Sequence, residues 1–194
     1  MKTRTIAAAV LAAALLLTGC SANDPLAEQY QSGSGQGYVS GDGLDEIPPA
    51  ERDEPVVFSG AAIDGSSVDS QELAGSVTVV NFWYAACPPC RLEAPILAQL
   101  SEEYGDVEFI GVNTRDYADQ ARIFEQEYGI TYPSILDVDS ASVQLAFAGS
   151  VPPNAVPTTL VLDREGRVAA RISGVIQDDG ILAAMIDAVV AEAS

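Results

Sequence analysis

The sequence predicts a single α/β domain whose elements run in the order βαβα and then ββα. Residues 77–83 form a nearly continuous apolar run, as expected for a central strand covered on both faces. Two apolar runs flank the polar segment 163–167, which predicts an antiparallel hairpin. Near the C-terminus, apolar residues recur at helical spacing along one stripe, which carries Ile181, Met185 and Val189 beside Leu182, Ile186 and Val190.

The first elements of this domain are a hairpin, the central strand and a helix. Residues 55–58 and 63–68 predict a small N-terminal hairpin with Asp64-Gly65 at the turn. The helix should begin at Pro88, because a proline loses no hydrogen bond at the first helical position. Pro95 lies inside this helix and should kink it. The predicted apolar face of the helix carries Leu92, Ile96 and Leu100.

The remaining elements follow from the same patterns of spacing and turn residues. In chain order they are a strand at 107–112, a helix at 117–128 closed by Gly129, a short strand at 134–136, a short helix around 143–147, and the two hairpin strands at 158–162 and 168–172. The sequence shows no internal repeat.

The N-terminus has the pattern of an export signal. Lys2 and Arg4 precede an uncharged, Ala- and Leu-rich stretch at 6–17, which is too short to span a bilayer and fits a secretory signal. The following Leu17-Thr18-Gly19-Cys20 resembles the lipobox of bacterial lipoproteins. That resemblance implies a signal peptide at 1–19 and a diacylglycerol on Cys20. The alternative is an ordinary secretory signal with an incidental cysteine.

Residues 20–52 are predicted to be the lipidated cysteine and a flexible tether. Glycines alternate there with Ser, Gln and Asp, and large apolar residues are sparse. A tether of this composition would give a reach of about 30 Å. The folded domain is therefore predicted at 53–194, held at the membrane by two acyl chains outside the cytoplasm, where disulfides persist.

Composition and charge exclude several classes of function. The formal net charge of −19 disfavours binding to nucleic acid and to anionic lipid headgroups. The acidic surface either favours a basic protein partner or serves only to keep the protein soluble. The chain has no histidine, so it lacks Ser-His and Cys-His nucleophile pairs and His-ligated metal sites. Its three cysteines are too few for a four-cysteine metal site. Because Lys2 is the only lysine, the chain has no phosphate loop ending in lysine.

The motif Cys87-Pro88-Pro89-Cys90 is the strongest chemical signal in the chain, because two cysteines at this spacing between a strand and a helix form a redox pair. Cys87, at the helix N-terminus, is predicted to be the exposed attacking nucleophile, and Cys90 the resolving thiol. Two prolines remove backbone donors beside Cys87, which predicts a moderately activated thiol. The alternative is a structural disulfide, although so short a loop would stabilise the fold only weakly.

Several motifs together resemble the thioredoxin fold. Asn81-Phe82-Trp83 followed by the two cysteines and Pro95 is similar to the thioredoxin active-site strand and its kinked first helix. Val156-Pro157-Thr158 resembles the loop that holds a cis-proline against the disulfide. The resemblance covers about residues 53–190 and implies a central mixed β-sheet flanked by helices, with the N-terminal hairpin as an extension.

Further residues narrow the resemblance to the membrane-tethered TlpA/ResA-type thiol-disulfide oxidoreductases. These are Phe58 and Asp64-Gly65 ahead of the central strand, and Glu93 three residues after the second cysteine. Thioredoxin itself has a buried Asp where Asn81 stands and a Trp where Ala86 stands. The TlpA/ResA-type pattern tolerates Asn at the position of Asn81, so this difference from thioredoxin favours the TlpA/ResA-type family.

The resemblance assigns roles to residues around the cysteine pair. Glu93 would lie near the sulfurs and shuttle a proton or raise their pKa; the alternative is a solvated glutamate in the first turn of the helix. Pro157 would be cis, with the backbone at Val156 pairing with a substrate segment, or else an ordinary trans loop proline. Trp83 and Tyr84 would wall the site, and for Trp83 a plain core role is the alternative.

The predicted function is that of an extracytoplasmic, lipid-anchored protein thiol:disulfide oxidoreductase. The resemblance implies reduction of substrate disulfides, including those of apocytochrome c, with a membrane thiol-electron carrier as donor and no metal, haem or nucleotide cofactor. The same fold could instead act as an oxidant that introduces disulfides into secreted proteins. Two weaker alternatives are a thiol peroxidase and a non-enzymatic binding lipoprotein with an inert disulfide.

Overall fold

The computed structural model describes residues 43–151 and 155–192. The predicted signal peptide, the lipidation site at Cys20 and most of the predicted tether lie outside these residues and stay predictions. None of the helices in the described ranges has the length and apolar character needed to cross a membrane.

A mixed sheet forms the centre of the domain, as predicted, and it has six strands. Its strands are β1 (Leu44–Glu46), β4 (Thr78–Trp83), β5 (Glu108–Asn113), β6 (Ser134–Leu136), β7 (Thr158–Leu162) and β8 (Val168–Ser173), arranged in the order β1-β8-β7-β4-β5-β6. Strands β4, β5 and β6 are parallel, whereas β7 pairs antiparallel with both β4 and β8. An N-terminal hairpin that turns at Asp64-Gly65 is also present, but its strands β2 (Ser59–Ala61) and β3 (Ser67–Asp69) lie later than the predicted 55–58 and 63–68.

Four helices accompany the sheet: α1 (Pro88–Glu103), α2 (Ala118–Tyr128), α3 (Ser142–Ala146) and α4 (Asp179–Val190). Pro88 occupies the first position of α1, as predicted, and the helix continues through Pro95; the kink stays a prediction. Gly129 ends α2 in the left-handed conformation with φ of 69°, which a residue without a Cβ adopts freely.

Successive side chains of β4 point to opposite faces of the sheet, and each face packs against its own apolar core. Val79 packs with α1 and α4 in one apolar cluster, which includes Leu97 and Ile186. Val80 points the opposite way, into a cluster that contains Phe58 and Phe147. Every residue of β4 is buried, as the continuous apolar run predicts.

The buried face of α1 differs from the predicted one. Leu92 is 71% exposed and Ile96 is half-buried, so only Leu100 of the three predicted core residues is buried. The inward positions are instead Cys90, Glu93, Ala94, Leu97 and Leu100. Apolar spacing missed this face because its middle carries a small residue and a carboxylate. In α4 the apolar stripe is wider than its buried part, since Ile181 and Val190 are partly exposed.

The folded domain also begins earlier than residue 53. Strand β1 pairs with β8 through Leu44 and Ile172, and the N–H of Ile47 donates to the carbonyl of Ala169 at 2.8 Å. The prediction that the tether extends to residue 52 is therefore wrong. Its basis was the scarcity of apolar residues, but β1 is held by backbone hydrogen bonds to a sheet edge, which need no apolar side chains.

Arg52 connects the segment after β1 to Asp163 and Glu192 through ion pairs. Its side chain is only 2% exposed, pairs with Asp163 at 3.0 Å and donates to both carboxylate oxygens of Glu192. Burial opposes ionisation of Asp163, but the backbone N–H of Arg167 and the guanidinium of Arg52 hold the pKa of Asp163 below its usual range. The cluster is thus a buried ion network with its charges compensated.

We expect Arg52→Leu to lower the free energy of unfolding by about 2 kcal/mol, because Glu192 loses its arginine partner and Asp163 is left with Arg167 alone. Urea unfolding of the oxidised protein measures this loss. Arg122→Leu is the matched control, since Arg122 forms an exposed pair with Asp119 that should contribute less than about 1 kcal/mol. Equal losses in the two variants would contradict a special role for the buried network.

Candidate active site

Cys87 and Cys90 are joined by a disulfide at the junction of β4 and α1, with their Cα atoms 5.3 Å apart. Cys87 caps the helix, and its Sγ accepts the backbone N–H of Cys90 at 3.2 Å. Pro88 and Pro89 fill the first two helical positions and have no N–H to offer. A thiolate at Cys87 would therefore receive one backbone N–H in addition to the field of the helix.

The environment of Cys87 differs from the prediction of an exposed nucleophile. In the disulfide form Cys87 is 1% exposed, and it packs in one apolar cluster with Cys90, Trp83 and Phe124. The bond to Cys90, which lies one turn into the helix, holds the Cys87 sulfur against this cluster. The exposed neighbours are Ala86 and Pro88, so solvent reaches the motif at these two residues and not at its sulfurs.

The peptide bond between Val156 and Pro157 is cis, as predicted. Val156 is half-buried and packs against the cluster that contains both cysteines. The carbonyls on either side of Val156 are occupied, because Thr158 Oγ1 donates to Ala155 and the N–H of Gly174 donates to Pro157. The N–H and carbonyl of Val156 itself form no hydrogen bond with another described residue. They are thus available for pairing with an extended segment.

Glu93 lies on the inward face of α1 and is fully buried, which rules out the alternative of a solvated glutamate. One of its oxygens accepts from Asn81 Nδ2 at 2.8 Å and the other from the backbone N–H of Ile176 at 3.0 Å. Burial raises the pKa of Glu93 to about 7, although both of these hydrogen bonds favour the ionised form. Near neutral pH this carboxyl group can therefore both take up and release a proton.

Asn81 holds Glu93 in place from the central strand. Its Nδ2 also donates to Thr159 Oγ1 at 3.0 Å, so the amide bridges β7 and α1 within the core. Asn81, which cannot ionise, thus stands at the position where thioredoxin has a buried Asp. The buried ionisable group that Asn81 contacts is Glu93 on α1.

Trp83 has no surface to offer a substrate, since it is only 2% exposed. Its ring stacks on Phe124 with a centroid distance of 4.4 Å and belongs to the same cluster as the two cysteines. The structure therefore favours the core role for Trp83. Tyr84 is half-buried against the same cluster and is the aromatic residue at the rim.

A polar pair that was not predicted, Asn113 and Asp116, holds the loop before Cys87. The carboxylate of Asp116 is buried and accepts from the backbone N–H of Ala85 and from Asn113 Nδ2. Asn113 Oδ1 in turn accepts the backbone N–H of Asp116 at 2.7 Å. The available signal was Asn-x-x-Asp directly after the second strand of a parallel pair, because the carboxyl ends of such strands meet at one sheet edge.

No group of three or more potential ligands in the described parts of the chain could hold a metal ion. The chemistry that the arrangement offers is thiol-disulfide exchange. Its parts are a disulfide at a helix N-terminus, a buried carboxyl group with a pKa near neutrality, and, beside the cis-proline, the backbone of Val156, which has no hydrogen-bond partner among the described residues.

Comparison with known proteins agrees with this chemistry. A model of the Redoxin family matches residues 45–186. The chain belongs to the Redoxin family. It is similar to the thiol:disulfide interchange protein HelX of Rhodobacter capsulatus, with 36% identity over 136 residues that cover 69% of each chain. It is also similar to the thiol-disulfide oxidoreductase ResA of Bacillus subtilis, with 29% identity over 120 residues, or 61% of this chain and 64% of ResA.

Among solved structures, this Redoxin-family chain resembles a DsbF homologue from Corynebacterium diphtheriae. The TM-score is 0.69 at 32% identity, and the match covers 78% of this chain and 96% of the homologue. These findings confirm the predicted thioredoxin-like fold and the TlpA/ResA-type resemblance. The protein is a thiol-disulfide oxidoreductase of the thioredoxin fold.

The raised pKa of Glu93 makes a prediction about stability. Between pH 4.5, the ordinary pKa of the group, and pH 7, the folded protein binds more protons at Glu93 than the unfolded chain does. Stability contributed by this group should therefore fall by about 3 kcal/mol as pH rises through that window. Glu93→Gln should remove this slope, as measured by urea unfolding of the oxidised protein at several pH values.

Glu102→Gln is the matched control for this measurement, because Glu102 is exposed on the same helix and the charge change is identical. Its pH dependence should follow that of the wild type. If Glu93→Gln also follows the wild type between pH 4.5 and 7, Glu93 does not have the raised pKa.

Proposed function

We propose that this protein is an extracytoplasmic, lipid-anchored reductase of protein disulfides. The observation that carries the reducing direction is the cap of α1, where Pro88 and Pro89 leave the N–H of Cys90 as the one donor to the Cys87 sulfur. A strongly oxidising pair requires a well-stabilised thiolate in its reduced form. Here the thiolate has few donors, and a buried carboxyl group lies on the same helix.

The reaction is disulfide exchange in two steps. The thiolate of reduced Cys87 attacks one sulfur of the substrate disulfide, a Cys87–substrate S–S bond forms, and the other substrate sulfur leaves as a thiolate that takes up a proton. Cys90 loses its proton and attacks Cys87, which restores the intramolecular disulfide and releases the second substrate sulfur as a thiol. Two electrons thus pass from the cysteine pair to the substrate.

We assign Glu93 the proton transfer that accompanies these steps. It follows Cys90 by three residues on α1, and its pKa of about 7 suits both uptake and release of a proton at neutral pH. The N–H and carbonyl of Val156 would pair with the substrate backbone, which would bring the substrate sulfur into line with Cys87.

The cellular setting of the proposal rests on the sequence and on the family resemblance. The lipobox-like Leu17-Thr18-Gly19-Cys20 supports a lipid anchor, and the Gly-rich segment after it supports a tether on the outer side of the membrane. By resemblance to TlpA/ResA-type proteins, apocytochrome c is a substrate and a membrane thiol-electron carrier re-reduces the pair.

The reduction potential of the Cys87/Cys90 pair tests the direction. Equilibration in defined thiol buffers should give a potential of roughly −270 mV, whereas a value near −120 mV would mean a disulfide-donating oxidase. Pro89→Ala should raise the potential by about 30 mV, because it restores one N–H to the thiolate. The matched control is Pro95→Ala, since Pro95 lies deeper in the same helix and its N–H would not face the sulfur.

Trapping tests the roles of the two cysteines. Cys90→Ser should accumulate a Cys87–substrate mixed disulfide, because nothing remains to resolve it. A non-reducing gel of the variant, incubated with a disulfide-containing protein, should show the conjugate, and Cys87→Ser should show none. If Cys90→Ser forms no conjugate although Cys87 is free, the pair is an inert structural disulfide.

A further inference from the structure

Arg115 differs from every other arginine that the structure describes. Five of them pair with carboxylates, and Arg164 donates to two backbone carbonyls; the five are Arg52, Arg91, Arg122, Arg167 and Arg171. The side chain of Arg115 forms no hydrogen bond or ion pair with another described residue. In a chain with 28 acidic and 9 basic residues, a cation without a carboxylate partner is unexpected.

The guanidinium of Arg115 is nevertheless held in place. It lies 4.3 Å from the centre of the Tyr84 ring, in a cation–π contact. Tyr84 in turn packs against the cluster that contains both cysteines, and its carbonyl accepts the backbone N–H of Cys87 at 3.1 Å. The cation therefore lies at the rim of the redox site.

The backbones of this pair are fixed by the polar residues that follow β5. The N–H of Arg115 donates to Asn113 Oδ1 at 3.2 Å, and the carboxylate of Asp116 accepts the N–H of Ala85, next to Tyr84. Part of the entropy needed to order the guanidinium is thus already lost in the folded protein, which favours binding of a ligand to it.

We propose that Tyr84 and Arg115 form a specificity-determining subsite that selects substrate segments with an acidic side chain beside their reactive cysteine. The N–H groups of the Arg115 guanidinium donate to no other described residue, and their planar fork matches a carboxylate. The inference rests on the proposed function, in which the ligand is a protein segment and its anions are carboxylates. Because the rest of the chain is strongly acidic, the subsite would orient such a segment and not raise its general affinity.

Two peptides that differ only by Glu or Gln next to a single cysteine test the inference. Each cysteine is capped as a 2-thiopyridyl disulfide, so attack by Cys87 forms a Cys87–peptide bond and releases pyridine-2-thione, whose absorbance gives the rate. The full chain, reduced and held in neutral detergent, is the enzyme. Rates are divided by those with 2-mercaptoethanol, which removes the intrinsic difference between the peptides.

We expect the wild type to react about fivefold faster with the Glu peptide, the upper range for an accessible ion pair. Arg115→Gln should abolish this preference, Arg115→Lys should restore part of it, and high salt should weaken it. Arg122→Gln, with the same charge change at an exposed position on α2, should keep it.

Two results would contradict the subsite and leave the proposed function intact: equal rates for both peptides with the wild type, or a Glu preference that survives Arg115→Gln. The subsite would also be contradicted if Arg115→Gln slowed both peptides equally and shifted the pH profile of Cys87 alkylation by iodoacetamide. Arg115 would then act on the thiolate and not on the substrate. If neither peptide reacts at all, the proposed function fails, and the inference fails with it.

Discussion

The hydrogen bond from the Cys90 N–H to the Cys87 sulfur is the contact on which the site depends. The Cys87 sulfur is therefore both the cap of α1 and the reactive atom, so a helix that began at another residue would displace the reactive sulfur. The parallel pairing of β4 with β5 fixes where that cap lies, because Trp83 and Asn113 end adjacent strands at one sheet edge. Fold and reactivity are therefore set by the same few backbone contacts.

Asp116 and Glu93 are two buried carboxyl groups that make different contacts. Asp116 accepts the backbone N–H of Ala85, and so fixes the loop that leads to Cys87. Glu93 accepts from Asn81 and from the backbone of Ile176 within the core, where burial brings its pKa to about 7. One group positions the backbone, and the other can exchange a proton.

Much of the fold and part of the site could be predicted from the sequence. The central strand, the turn of the N-terminal hairpin and the helix start at Pro88 carry local signals in residue type and spacing. The cis bond before Pro157 is implied by the resemblance to the thioredoxin fold. Local signals failed where long-range contacts decide. The edge strand at Leu44 is held by backbone pairing, the inward face of α1 contains Glu93 in place of an apolar residue, and the burial of Cys87 depends on elements distant in sequence.

The electrostatics of the site act on one redox form more than the other. A disulfide carries no charge, so the helix field and the single N–H donor influence mainly the thiolate of the reduced protein, and the proposed action of Glu93 would do the same. The helix field stabilises that thiolate, whereas the two prolines withhold donors and an ionised Glu93 would oppose it. In the proposed mechanism the protonation of Glu93 changes near neutral pH, so the balance between these influences would change with pH, and proton transfer would be linked to the reduction potential of the pair.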